Sequence, residues 1–142
     1  MLQTIITNSE QETFEFARKY AAELQTGGVI AVSGELGTGK TVLAQGLARG
    51  LGVTANVSSP TFVIMRVYAA ALPHIKTFCH IDAYRVNSYQ DLLDIGAQDY
   101  FRDPRAISLV EWAEKAEDAL PSTSQKIELK HLSLHKRQII LS

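Results

Sequence analysis

A chain of 142 residues with 46% hydrophobic and 20% charged residues suits a single soluble domain over residues 1–142. At about 150 residues a chain buries roughly 68–70% of its unfolded surface, so one core holds it without disulfides or a structural metal. A net charge of −1 excludes an overall basic field for direct nucleic-acid binding, and the lone Cys79 excludes an intrachain disulfide.

The N-terminus, MLQTIITNSE, lacks the basic and apolar regions of a secretory signal, and no apolar run reaches the ~18 residues of a membrane span. Residues 2–7 read as a short strand. Ser9 starts a helix, with Glu12 three positions on as in a capping box. Phe14, Ala17, Ala21 and Leu24 fall at helical spacing and form its expected buried stripe. Val29 to Val32 is a β-branched apolar run of the kind found in buried parallel strands. A glycine-rich turn leads into a helix over 40–50, with Leu43, Leu47, Ala48 and Leu51 facing the core. Residues 53–60 read as a loop, 62–68 and 75–81 as two strands, with a turn at 69–73. Their connection is too short for a parallel crossover, so they form a hairpin. Ser88 begins a further helix, with Asp91 in its first turn and Leu92, Leu93 and Ile95 as its apolar residues. Residues 106–110 make another buried strand ending at Glu111, and 114–120 a short helix stopped by Pro121. Residues 126–134 and 137–141 make a terminal hairpin turning at His135 and Lys136. The order predicts an α/β, P-loop NTPase-like fold of three layers, with a mixed sheet that includes antiparallel hairpins.

Residues Gly34, Glu35, Leu36, Gly37, Thr38, Gly39, Lys40 and Thr41 match G-x-x-x-x-G-K-[ST] at every constrained position, between a buried strand and a helix. Glycines let the backbone approach phosphate oxygens, and successive N–H groups form an anion nest extended by the helix N-terminus. Lys40 is aimed at the β- and γ-phosphates, and the Thr41 hydroxyl is a Mg²⁺ ligand. The expected nucleotide contacts are residues 35–41, with Glu35 and Leu36 contributing only backbone N–H groups. Mg²⁺ on a triphosphate also needs a carboxylate, directly or through water. Asp82 and Glu111 each end an apolar strand, and Glu111 follows the more apolar one. Glu111 is expected to ligate the metal with Thr41, and Asp82 to lie in the same shell.

With these landmarks the sequence resembles the TsaE (YjeE) family, small bacterial ATPases of threonylcarbamoyladenosine formation in tRNA. The resemblance rests on GELGTGKT at 34–41, Ser59-Pro60-Thr61-Phe62, His80-Ile81-Asp82-Ala83-Tyr84-Arg85, and Glu111-Trp112 with Glu114 two residues on. It runs from the first strand to about Pro121; residues 122–142 carry no family motif. It implies a cytoplasmic Mg²⁺-dependent ATPase that binds ATP and ADP and acts on a complex of the proteins TsaB and TsaD. It implies contact with tRNA only through that complex, and none with a membrane. Lys40, Asp82 and Glu111 are then the catalytic residues. Thr61 is placed to sense the γ-phosphate or a metal-bound water, although the same segment also serves to cap the strand that follows. Arg85 pairs with phosphate or with Asp82, or is an ordinary surface arginine; Tyr84 and Trp112 are core or interface aromatics, and His80, alternating with Phe78, reads as a packed histidine.

Three other functions compete with this reading. A small-molecule P-loop kinase needs an acceptor site and an arginine-bearing lid, and no arginine-rich insert is present. A GTPase switch needs N-K-x-D and D-x-x-G, and neither occurs. A nucleotide-binding module without turnover is separated from the ATPase only by assay with the partners.

Overall fold

The computed structural model describes residues 2–35, 37–58 and 64–142. Strand β1 spans Gln3–Thr7 and helix α1 Glu10–Ala22. Ser9 Oγ accepts the Glu12 N–H at 3.1 Å, while the Glu12 carboxylate reaches back to the N–H of Asn8 at 2.6 Å. The capping pattern therefore forms with its return bond one residue earlier than in the usual box. The buried face of α1 is Thr13, Ala17 and Ala21. Phe14, expected in that stripe, is only half-buried. Thr13 replaces it because its hydroxyl pairs with that of Thr7, 2.7 Å away, and so enters the interior with its polar group satisfied.

Strand β2 spans Gly28–Ser33 and helix α2 Lys40–Gly50. Strands β3, Met65–Ala69, and β4, Thr77–Asp82, form the antiparallel hairpin. The segment expected as one helix after Ser88 is two, α3 at Tyr89–Asp94 and α4 at Ala97–Arg102. Gly96 between them has φ +80°, a left-handed turn that interrupts the helical hydrogen bonding. Strand β5 is Ala106–Glu111, buried at all six positions. The expected helix before Pro121 is two 3₁₀ turns, Ala113–Lys115 and Glu117–Ala119. Strands β6, Gln125–His131, and β7, Arg137–Leu141, make the terminal hairpin with a longer turn than expected.

The seven strands form one mixed sheet in the order β1-β7-β6-β2-β5-β4-β3. Its centre, β6, β2, β5 and β4, is parallel, and its flanks are antiparallel. One apolar cluster joins Ile30, Val32, Phe78 and Leu109 of the sheet to Ala17, Leu43 and Leu47 of α1 and α2. A second, on the other face, joins Val29, Ala31, Ile81 and Val110 to Leu92 of α3, Ala97 and Phe101 of α4. The alternation of burial along β2 and β4 thus divides the core into two, and the chain is a three-layer α/β fold.

Helices α1 and α2 meet through small residues. A Cβ on Gly46 would lie 2.5 Å from Phe14 O and 2.7 Å from Ala17 Cβ, and one on Gly50 would overlap Arg18 O. Glycines four apart on α2 therefore face Ala17 and Ala21, four apart on α1. This close crossing seats the N-terminus of α2 beside that of α1, and the functional site is built around that point.

Candidate functional site

The three parallel strands β2, β5 and β4 run in one direction, so Ser33, Glu111 and Asp82 all finish at the same edge of the sheet. Ligands of open α/β sheets bind beyond that edge. The glycine-rich turn lies there, between β2 and α2. Gly37 and Gly39 have φ of +80° and +100°, and Gly39 is the N-cap of α2. These left-handed values suit glycine and steepen the turn. Gly34 is fixed for another reason: a Cβ there would sit 2.8 Å from Leu129 O of β6 and 2.9 Å from Thr38 Oγ1. The turn is thus pressed against β6. Leu36 lies outside the described residues, as do residues 59–63, and with them Thr61 and the whole S-P-T-F segment.

Lys40 is buried, and its Nζ donates to Gly34 O at 2.5 Å and Glu35 O at 2.8 Å. The same ammonium lies 4.1 Å from the centroid of the Trp112 ring. Carbonyl oxygens and an aromatic face replace its water shell. Burial pulls its pKa down, opposed by the carboxylates of Glu111, Glu114, Asp82 and Glu35. Thr38 is turned inward, its hydroxyl donating to Glu35 O at 2.7 Å. Thr41 is exposed at the first turn of α2.

Glu111 is buried and pairs in register with Val32 on one side and Asp82 on the other. It lines a cleft of about 300 Å³ together with Lys40, Thr41 and Trp112. Asp82 Oδ1 accepts the N–H of Tyr84 at 2.9 Å, which turns the chain sharply out of β4. After Glu111, Trp112 takes φ +56°, ψ +42°. A left-handed conformation costs an aromatic residue about 1–2 kcal/mol, and here it ends β5 and brings the indole beneath Lys40. Tyr84 packs on Trp112 with ring centroids 5.0 Å apart, and Lys115 Nζ lies 4.4 Å from the Tyr84 ring.

Two contacts escaped the sequence reading. Arg137, at the start of β7, donates from Nε to Thr38 O at 3.1 Å and from Nη2 to Gly37 O at 3.3 Å. Its Nη1 donates to Ser133, Leu134 and Lys136 carbonyls, tying the glycine-rich turn to the β6–β7 turn. A surface basic residue in a generic hairpin gives no local signal of such a role. His80 is fully buried, its ring stacks on Phe78 at 5.9 Å, and its Nε2 lies 2.6 Å from Glu111 Oε2. The signal here was the spacing H-x-D, which puts His80 and Asp82 on one face of β4, level with Leu109 and Glu111 of β5.

Beside the turn lies a cavity of about 440 Å³, lined by Glu10 and Thr13 of α1, Gly37, Val42, and His135 and Arg137 of the C-terminal hairpin. It shares Glu10, Gly37, Gly39 and Val42 with the Glu111 cleft. The two hollows therefore meet across the N-terminus of α2. Among the described residues no three His, Cys, Asp or Glu side chains cluster as a metal cage. The oxygen donors present, one buried carboxylate and one hydroxyl facing a shared cleft, fit a Mg²⁺ ion that takes its remaining ligands from phosphate and water.

Comparison with known proteins bears on the same region. A family profile described as threonylcarbamoyl adenosine biosynthesis protein TsaE matches residues 7–139. The protein is 34% identical to the tRNA threonylcarbamoyladenosine biosynthesis protein TsaE of Treponema pallidum over 96% of this chain and 98% of that one. It is 37% identical to the Bacillus subtilis protein of the same name over 94% and 80%. The crystal structure of Bacillus subtilis YdiB superposes with a TM-score of 0.82 at 31% identity, covering 99% of this chain and 84% of that one.

Proposed function

The chain belongs to the TsaE family of tRNA threonylcarbamoyladenosine biosynthesis, and on that basis we propose that it is a cytoplasmic Mg²⁺-dependent ATPase acting on the TsaB–TsaD complex. The observation that carries the reading is the meeting of three elements in one cleft: the glycine-rich turn, Lys40 and Thr41 of α2, and the buried Glu111 on the adjacent parallel strand. Backbone N–H groups at the α2 N-terminus bind phosphate oxygens, favoured by the positive end of the helix dipole. Lys40 exchanges the carbonyls of Gly34 and Glu35 for the β- and γ-phosphates. Thr41 and Glu111 would hold Mg²⁺, with Asp82 beside Glu111, and the ion when bound neutralises charge that develops on the transferred phosphoryl group. The 440 Å³ cavity between α1 and the C-terminal hairpin offers room for the base. Adenine is the base expected, because guanine-reading N-K-x-D is absent from the sequence.

Among the described residues no helix is long and apolar enough to cross a membrane. In this reading hydrolysis serves an assembly rather than transfer to a small-molecule acceptor. ATP and ADP then act by holding the TsaB–TsaD complex with different strength, since a ligand shifts an equilibrium only by its differential affinity for the two states. Residues 57–62 and 80–85 are the segments assigned to sensing the γ-phosphate in this reading. The test is the affinity of this protein for TsaB–TsaD with a non-hydrolysable ATP analogue, with ADP and with no nucleotide. Different affinities are expected with the first two; equal affinity in all three overturns the gating role. A phosphorylated small-molecule product would favour the kinase instead.

A further inference from the structure

His80 and Glu111 form a buried ion-pair geometry that phosphate binding by itself does not require. An ionised Glu111, the form that ligates a cation, only accepts, and in that form the proton of the 2.6 Å contact is the His80 Nε2–H. The other ring nitrogen, Nδ1, is buried and has no hydrogen-bond partner among the described residues. A buried imidazole with one ring nitrogen unpaired among the described residues is a costly choice where leucine or phenylalanine would fill the space. Among the described residues its polar contact is Glu111, and its ring stacks on Phe78 with centroids 5.9 Å apart, which restricts the direction of the Nε2–H. The Glu111 contact to His80 runs through Oε2, and the residue faces the Lys40–Thr41 cleft.

We propose that His80 is a positioning residue: its Nε2–H fixes Oε2 of Glu111 so that Oε1 is presented to a divalent cation. The proposal rests on the reading of Glu111 as the metal carboxylate. Histidine in the row behind a metal carboxylate sets the carboxylate's rotamer and basicity, and removing such a partner costs about 10–100-fold in metal affinity. The arrangement follows from β4–β5 register, because the residue two before Asp82 on the same face must lie one row behind the pair Asp82–Glu111.

The experiment titrates Mn²⁺, a spectroscopically visible oxygen-seeking stand-in for Mg²⁺, into the full chain saturated with ADP, followed by electron paramagnetic resonance. ADP affinity in chelator, without metal, is measured alongside by calorimetry. His80→Leu is expected to weaken Mn²⁺ by about 10–100-fold and to leave metal-free ADP affinity unchanged. His80→Gln, whose terminal amide donates from nearly the position of Nε2, is expected to restore most of the loss. Wild-type Mn²⁺ affinity in a folded His80→Leu, with Glu111→Gln impaired, overturns the positioning role and leaves the metal assignment standing. Equal losses of Mn²⁺ and of metal-free ADP mark general damage and overturn it too. Unchanged Mn²⁺ affinity in Glu111→Gln overturns the metal assignment and this inference together. Should His80→Leu fail to fold, His80→Asn, whose donor falls short of Glu111, replaces it with the same expectations.

Discussion

The β2–α2 segment and the β6–β7 hairpin meet at the glycine-rich turn, and they carry their information differently. Between Ser33 and Gly50 the sequence states its own geometry: glycines where φ is positive, a lysine and a threonine at the first turn of a helix. Between Gln125 and Leu141 the residues alternate as any half-buried hairpin does. Yet Leu129 O closes the space above Gly34, and Arg137 holds Gly37 and Thr38 from about a hundred residues away in sequence. Local chemistry is written locally, whereas the attitude of the turn is set by long-range contacts. The first segment should therefore govern whether nucleotide binds, and the second how well the turn is held for it.

The largest expected effect lies in the first segment. Lys40→Ala removes the one ammonium within the cleft, and a charged hydrogen-bonding group is worth about 1.5–3 kcal/mol, or roughly 10–100-fold in affinity. Calorimetric titration with Mg-ADP checks it; a folded variant that binds as wild type breaks the assignment of the phosphate site. Next in size is Gly50→Ala on α2. Its methyl group would overlap Arg18 O, so the α1–α2 crossing must spread, at a cost of about 1–3 kcal/mol in stability. Denaturant unfolding measures it, and an unchanged midpoint would mean that the crossing yields freely.

Arg137→Ala sharpens the contrast from the other side. Removing the two bonds to the turn should cost about 1 kcal/mol of binding, a several-fold loss, with the fold intact. Arg137→Lys should rescue little, because one ammonium cannot replace donors that reach five carbonyls at once. An effect as large as that of Lys40→Ala would erase the distinction between the two segments.

The last effect concerns a residue in neither segment and shows only at alkaline pH. Burial pushes the Cys79 thiol up to about 12, opposed in part by Ser108. The unfolded chain releases that proton from about pH 8.5, while the folded protein keeps it until near the raised value. Stability is thus fully present below the ordinary thiol range and falls as pH rises toward 12, with a slope on the order of 1 kcal/mol per pH unit. Cys79→Ala should remove this slope from urea midpoints measured between pH 8 and 10; an unaltered slope contradicts the buried, protonated thiol.

What was legible in the sequence follows the same division. The bounds of α2, the two hairpins, the parallel centre and the shared edge of Asp82 and Glu111 could be read because each rests on local periodicity or a motif. The break at Gly96 is not legible in the sequence because Leu92, Leu93 and Ile95 before it and Ala97 and Phe101 after it continue an apolar pattern across it. Phe14 was overrated because periodicity does not register that Thr13 finds a hydroxyl partner in Thr7. The His80–Glu111 pair needed the strand register, and Arg137 needed the whole topology; neither exists until the sheet is assembled.

ATP turnover in Mg²⁺, measured for the wild-type protein and Glu111→Gln with and without TsaB–TsaD, tests the central claim most directly. Hydrolysis by the wild type is expected to rise with the complex and to be lost in Glu111→Gln although nucleotide still binds. No Mg²⁺-dependent hydrolysis under either condition, or full activity in Glu111→Gln, would contradict it.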